Sequence, residues 1–170
     1  TGDSKTAQRM VTRLGDFRRQ SLESDPALMI TLEQEVEALM LYLEIEKIRF
    51  GDRLELAFEM DGQAAQAMVP SLLLQPLVEN SIKHAIGVNE EGGTISLAAR
   101  VMEDELRLVL ADTGPGVHAV PTSPQGSRRV GLENTLQRLK TLYNEAYVFD
   151  IAKRSHSGLQ VTICIPFRTE

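Results

Sequence analysis

Residues 92–114, GGTISLAARVMEDELRLVLADTG, contain two apolar, strand-forming runs separated only by the dipeptide Glu103-Asp104. A connection that short leaves two strands one option, antiparallel pairing as a hairpin, because a parallel pair needs a crossover of a dozen residues or more. A second pair of runs, AYVFDIAKRS (146–155) and GLQVTICIPF (158–167), is arranged in the same way around His156-Ser157-Gly158. Any fold of this chain is therefore built on a mostly antiparallel sheet.

Helical segments fall between the strands. Thr31 opens TLEQEVEALMLYLEIEKIRFG as a cap, with Gln34 completing a capping box. Leu32, Val36, Leu39, Met40 and Leu43 share a face of that helix, and Gly51 ends it. RLELAFEM (53–60) alternates as a half-buried strand does. VPSLLLQPLVENSIKHAIG (69–87) is predicted to be a helix that either starts close to Pro76 or kinks there. GLENTLQRLKTLYN (131–144) is predicted to be helical, with Leu132, Leu136, Leu139 and Leu142 on one stripe. An earlier segment, 5–22, carries Ala7, Met10, Val11, Leu14, Phe17 and Leu22 at roughly helical spacing before SDP (24–26) breaks it. The order predicts an α/β two-layer sandwich, a mostly antiparallel sheet with helices on one face, preceded by two helices that read as a separate piece.

Composition narrows the function. Net charge is −6, there is no Trp, and aromatic residues make up 5% of the 170 residues. These facts argue against a nucleic-acid binder, since the densest basic run, SRRV (127–130), is too short for a phosphate-tracking patch. Cys164 is the only cysteine, so there is no disulfide framework and no cysteine metal site; it sits in VTICIPF and reads as a core residue. No apolar run approaches the ~20 residues of a membrane span.

Three motifs can carry chemistry. In ADTGPGV (111–117), Asp112 stands at a strand end beside Gly114 and Gly116. A carboxylate there can accept from a ligand's amino group while the glycines let backbone approach a flat ligand, although the same residues also make an ordinary turn. In LVENSIKH (77–84), Glu79, Asn80, Lys83 and His84 stand on an otherwise apolar helix. Asn80 and Lys83 share a face and suit Mg²⁺ and phosphate, or simply a solvated face. In RRVGLENTLQRL (128–139), Gly131 is predicted to open a helix after a polar loop, 117–130. A helix N-terminus with Arg128 and Arg129 nearby suits an anion, or is a plain loop-to-helix joint.

Together, their order and spacing resemble the Bergerat-type ATP-binding domain. LYLEIEKIRFGDRLEL, PSLLLQPLVENSIKHAI, ADTGPGV, GLENTLQRL and VTICIPF are similar to the LytS-like sensor histidine kinases, from about residue 10 to the end. The resemblance implies ATP and Mg²⁺ as ligands. Asn80 would hold Mg²⁺, with Glu79 beside it, and Lys83 and His84 would line the phosphate and ribose side. Asp112 would accept from the adenine amine. Gly114 and Gly116 would make room for the nucleotide, residues 117–130 would be the lid, and Arg129, Gly131 and Leu132 would lie at the phosphates, with Asn134 matching the family's G-L-x-N pattern.

The resemblance also implies a domain plan. Residues 1–50 would be the tail of the dimerisation and phosphotransfer helices with a connector, and 51–170 the ATP-binding catalytic domain. Water-directed ATPases of this superfamily carry a Glu four residues before the Asn; here that position is Pro76, which has no acid or base function. A histidine nucleophile needs no such base. None of His84, His118 and His156 stands in a phosphoacceptor context, so the acceptor is expected upstream, in a homodimer whose partner is a response-regulator receiver domain and whose membrane anchor also lies upstream of a cytoplasmic domain. Two departures stand out: Arg129 where the family has a Gly, and Leu159 where it has a Thr that assists adenine recognition. They motivate an alternative, a degenerate nucleotide-binding or pseudokinase interaction module. A serine kinase of the anti-sigma type is disfavoured by the helical segment over 30–50 and by Pro76.

Overall fold

The computed structural model describes residues 28–87, 90–113, 127–155 and 157–170. The helix expected over 5–22, most of the lid-like loop, and Gly114, Gly116, His118 and His156 lie outside the described residues. The elements run β1 (Met29–Thr31), α1 (Leu32–Phe50), β2 (Leu54–Met60), β3 (Met68–Pro70), α2 (Gln75–Ser81), β4 (Gly93–Met102), β5 (Glu105–Asp112), α3 (Ser127–Tyr143), β6 (Val148–Lys153) and β7 (Leu159–Pro166). A single π-helical stretch, Ile82–Ile86, continues α2.

The main sheet has the order β2-β4-β5-β7-β6. The two predicted hairpins are present, β4 with β5 (Met102 opposite Glu105) and β6 with β7 (Lys153 opposite Leu159). β5 and β7 also pair antiparallel. β2 joins the edge parallel to β4, Leu54 opposite Gly93; the intervening chain, which includes α2, supplies the crossover that a parallel pair needs. One face of the sheet is covered. Ile95, Leu97 and Ala99 of β4, Leu106, Leu108 and Leu110 of β5, and Ile163 and Ile165 of β7 are buried, while their strand neighbours are half-buried or exposed, except Ala111, which is buried as well. Cys164 falls among those neighbours, half-buried on the opposite side of the sheet from Ile163 and Ile165, so the expectation of a core cysteine is corrected by strand alternation.

Helix α1 forms as its ends predict. The Gln34 N–H donates to Thr31 Oγ1 (3.2 Å), and the Thr31 N–H donates to Gln34 Oε1 (3.1 Å). Gly51, at φ 59°, closes the helix with its N–H on the Lys47 carbonyl. Leu32, Leu39 and Leu43 enter the same core as the sheet, Val36 packs at its margin, and Met40 points away at 37% exposure. In α3, Leu139 is fully buried and Leu132 half-buried, whereas Leu136 is exposed.

Of the two readings of 69–87, the start close to Pro76 holds, while the extension of that helix back to Val69-Pro70-Ser71 is corrected: Met68–Pro70 pairs with Met29–Thr31 as a small second sheet. Helix α2 begins only at Gln75, with Pro76 in its first turn, where a missing N–H costs nothing. Helix α3 begins at Ser127, so Gly131 lies in its second turn and does not open it, and Arg129 takes the helical backbone that suits any L-residue. The polar run Ser127-Arg128-Arg129 has no apolar periodicity to announce a helix.

Candidate functional site

Asp112 is the last residue of β5 and is 5% exposed. A carboxylate buried that deeply needs donors. The Ser81 hydroxyl donates to Oδ2 (3.1 Å), and the Leu159 N–H donates to Oδ1 (3.2 Å). The main chain is pinned as well, because the Asp112 carbonyl accepts from Arg154 Nη1 at 3.1 Å. Gly158 makes this packing possible. At φ 93°, it brings backbone so close that an added Cβ would lie 1.8 Å from the Asp112 carbonyl oxygen. Next in the chain, Thr113 is tied to β4, its Oγ1 accepting from the Thr94 N–H (2.9 Å).

This carboxylate forms part of the lining of a pocket between the helices and the sheet. Asn80 and Ser81 line it from α2, Leu132 from α3, and Leu110, Ile151, Leu159 and Val161 from the strands, with Leu77 completing the wall. A carboxylate can accept several hydrogen bonds at once, from the protein and from a ligand's amino group. The arrangement suits a flat apolar ring carrying an amino group. Asn80 Nδ2 is buried without a hydrogen-bond partner among the described residues, an orphaned polar atom next to that pocket. Such an atom is costly unless a ligand or water meets it.

Of the expected site residues, Asn80, Asp112 and Leu132 come together around this one pocket. Glu79 and Lys83 are exposed on the same helix and do not line it; Glu79 Oε1 accepts from Gln75 Nε2 at 3.0 Å. His84 stands in the π-helical stretch, and Arg129 and Gly131 in the first turns of α3, their side-chain environments lying outside the described part. Leu159 does two things there: its side chain forms a wall, and its main-chain N–H holds Asp112. Ser81 and Gly158 were not among the expected site residues. Ser81 directly follows Asn80, and a small polar residue inside an apolar helix was the available signal.

Burial raises the Glu46 carboxyl above its ordinary value, and Glu79 adds to the rise while Arg49 opposes it. Among the described residues, no three His, Cys, Asp or Glu side chains group into a metal site. A divalent ion here would rely on a neutral oxygen such as that of Asn80, with phosphates and water supplying the rest, as suits Mg²⁺.

Comparison with known proteins gives relatives in sequence and in fold. A family model described as histidine kinase matches residues 1–54. The chain is 31% identical over 168 residues to the sensor histidine kinase BtsS of Escherichia coli K12, covering 99% of this chain and 29% of BtsS. It is 30% identical over 176 residues to the sensor protein LytS of Staphylococcus epidermidis, covering 98% of this chain and 29% of LytS. The chain thus spans under a third of the length of these curated relatives. Among solved structures, the catalytic domain of histidine kinase ThkA superposes with a TM-score of 0.63 at 18% identity, covering 82% of this chain and 95% of that domain. The sandwich is the histidine-kinase ATPase fold of Bergerat type.

Proposed function

We propose that this chain, a domain related to the sensor histidine kinases, is the ATP-binding catalytic module of such a kinase and serves phosphotransfer from Mg·ATP to a histidine outside this sequence. The observation that carries the reading is the convergence of Asp112, Asn80 and Leu132 on one pocket with apolar walls. Asp112 accepts from the adenine amine while Ser81 and Leu159 hold its carboxylate in place. Leu110, Leu132, Ile151, Leu159 and Val161 enclose the ring and keep water from it. Asn80 faces the sugar-phosphate side, with Glu79, Lys83 and His84 beyond it on the same helix. Arg128, Arg129 and Gly131 bring the start of α3 toward the phosphates. Mg²⁺, when bound, supplies charge neutralisation at the transferring phosphoryl group.

In the transfer, an imidazole nitrogen forms the P–N bond as the bond from the γ-phosphorus to the bridging oxygen breaks, and ADP leaves. Positioning and charge neutralisation are what this chain contributes; Pro76, at the start of α2, leaves no side chain to activate water at that place. The same reading places residues 1–50 with the dimerisation helices and 51–170 with the catalytic domain. It implies a response-regulator partner, a homodimer and a cytoplasmic position in a membrane-anchored sensor. No described helix is long and apolar enough to cross a membrane.

The test is phosphorylation of the full-length protein with γ-labelled ATP. The expected product is acid-labile, base-stable phosphohistidine, absent in Asn80→Ala. A full-length protein with an intact acceptor histidine that takes up no label would leave the alternative, a nucleotide-binding or pseudokinase interaction module.

A further inference from the structure

Helix α2 lacks a cap of its own. Its N-cap is Leu74, with no side-chain hydrogen bond from that residue, and Pro76 has no N–H to offer. The free amides are met from another helix. Glu35, in the first turn of α1, is 2% exposed and points its carboxyl group at the start of α2. The Leu72 N–H donates to Glu35 Oε2 (2.9 Å) and the Leu74 N–H donates to Oε1 (3.1 Å).

Such a contact holds the chain in a costly conformation. Leu72 has φ 59°, a left-handed backbone that a leucine adopts only when its surroundings fix it. Burying a carboxyl group is itself unfavourable unless it is hydrogen-bonded. One side chain thus ties α1 to the start of the helix bearing Asn80 and Ser81.

We infer that Glu35 is a positioning residue for the nucleotide pocket, setting the place of α2 relative to α1 through the Leu72 and Leu74 amides. The lever is short: Asn80 lies six residues beyond Leu74, about 9 Å along a helix at ~1.5 Å per residue. A displacement of α1 at Glu35 is passed to the Asn80 side of the pocket through a backbone contact rather than through soft side-chain packing. The consequence for nucleotide binding rests on the proposed function; the mechanical role does not.

The experiment compares wild type, Glu35→Gln, Glu35→Asp and a control, Leu106→Ala, which opens the core in β5 away from the pocket. Hydrogen exchange of the segment 75–82 and of the segment 105–112 is measured with Mg·ATP affinity, at a temperature where all variants are folded. Glu35→Gln keeps one acceptor oxygen and turns an NH₂ toward the other amide. It should lose protection selectively in 75–82 and bind Mg·ATP at least tenfold more weakly. Glu35→Asp should be intermediate, and it decides the matter if Glu35→Gln does not fold. Leu106→Ala should lose protection in 105–112 and keep its affinity. Wild-type protection of 75–82 in the Glu35 variants, or a loss spread equally over both segments, overturns the inference. A folded wild type that binds no Mg·ATP refutes the nucleotide reading, and the exchange data then decide the role of Glu35 on their own.

Discussion

Gly158→Ala is the sharpest local perturbation the fold allows. A Cβ at residue 158 would stand 1.8 Å from the Asp112 carbonyl oxygen, 2.6 Å from its carbon and 3.0 Å from Thr113 Cα, all backbone atoms that cannot rotate away. The backbone is also at φ 93°, where L-residues are strained by roughly 1–2 kcal/mol. Relief requires the β7 start to move off Asp112, which breaks the 3.2 Å bond from the Leu159 N–H to the carboxylate. A hydrogen bond to a charged group is worth about 1.5–3 kcal/mol. The combined loss is then roughly 2.5–5 kcal/mol of stability, with the carboxylate left in the wrong place for a ligand. Denaturant unfolding gives the stability, and nucleotide titration below the transition gives the affinity. Gly158→Asn separates the two causes: asparagine tolerates positive φ but still carries a Cβ, so it should not rescue. A Gly158→Ala protein with wild-type stability and wild-type binding would refute the argument.

Other outcomes follow from the same geometry. Asn80→Ala should reduce the Mg²⁺ dependence of ATP binding while leaving the unfolding transition close to wild type; titrations with and without Mg²⁺ check this, and unchanged dependence removes Asn80 as the ligand. Burial raises the Glu35 carboxyl above its ordinary value of 4.5, opposed by its hydrogen bonds from the backbone and by Arg138. The folded state therefore holds that proton where the unfolded state has lost it, so this group's contribution is full below about 4.5 and declines as pH rises toward the raised value. The stability of wild type minus that of Glu35→Gln should fall as pH rises through that window, measured by denaturant unfolding across pH; a difference that rises instead contradicts the burial argument. Cys164 is also raised by burial, with Glu105 adding to the rise, so it should react with a thiol reagent at pH 8 more slowly than a free cysteine. A rate equal to that of free cysteine refutes this.

Much of the architecture was legible because it is local. Thr31 and Gln34 announce a capping box within four residues, and Glu103-Asp104 allows only a hairpin turn. The apolar periodicity that marks α1 and α3 is equally short-range, although Met40 and Leu136 show that the stripe is narrower than the sequence suggests. What was missed is non-local or short. β1 and β3 are three residues each, too brief for alternation to register. The parallel pairing of β2 with β4 is set by the crossover, which no dipeptide records. At the pocket, Asp112, Asn80 and Leu132 each stand in a motif that the sequence displays. Ser81, Gly158 and Glu35 act on partners 31, 46 and 37–39 residues away, and nothing beside them in the chain reports it.

The most direct test of the nucleotide reading is calorimetric titration of this chain with Mg·ATP, with Asp112→Asn alongside. The account predicts saturable one-site binding by wild type and an affinity reduced about 13- to 150-fold in the variant, the equivalent of ~1.5–3 kcal/mol for a hydrogen bond to a charged group. No binding by a folded wild type, or equal affinity in the two proteins, would contradict it and give the lead to the degenerate-module reading.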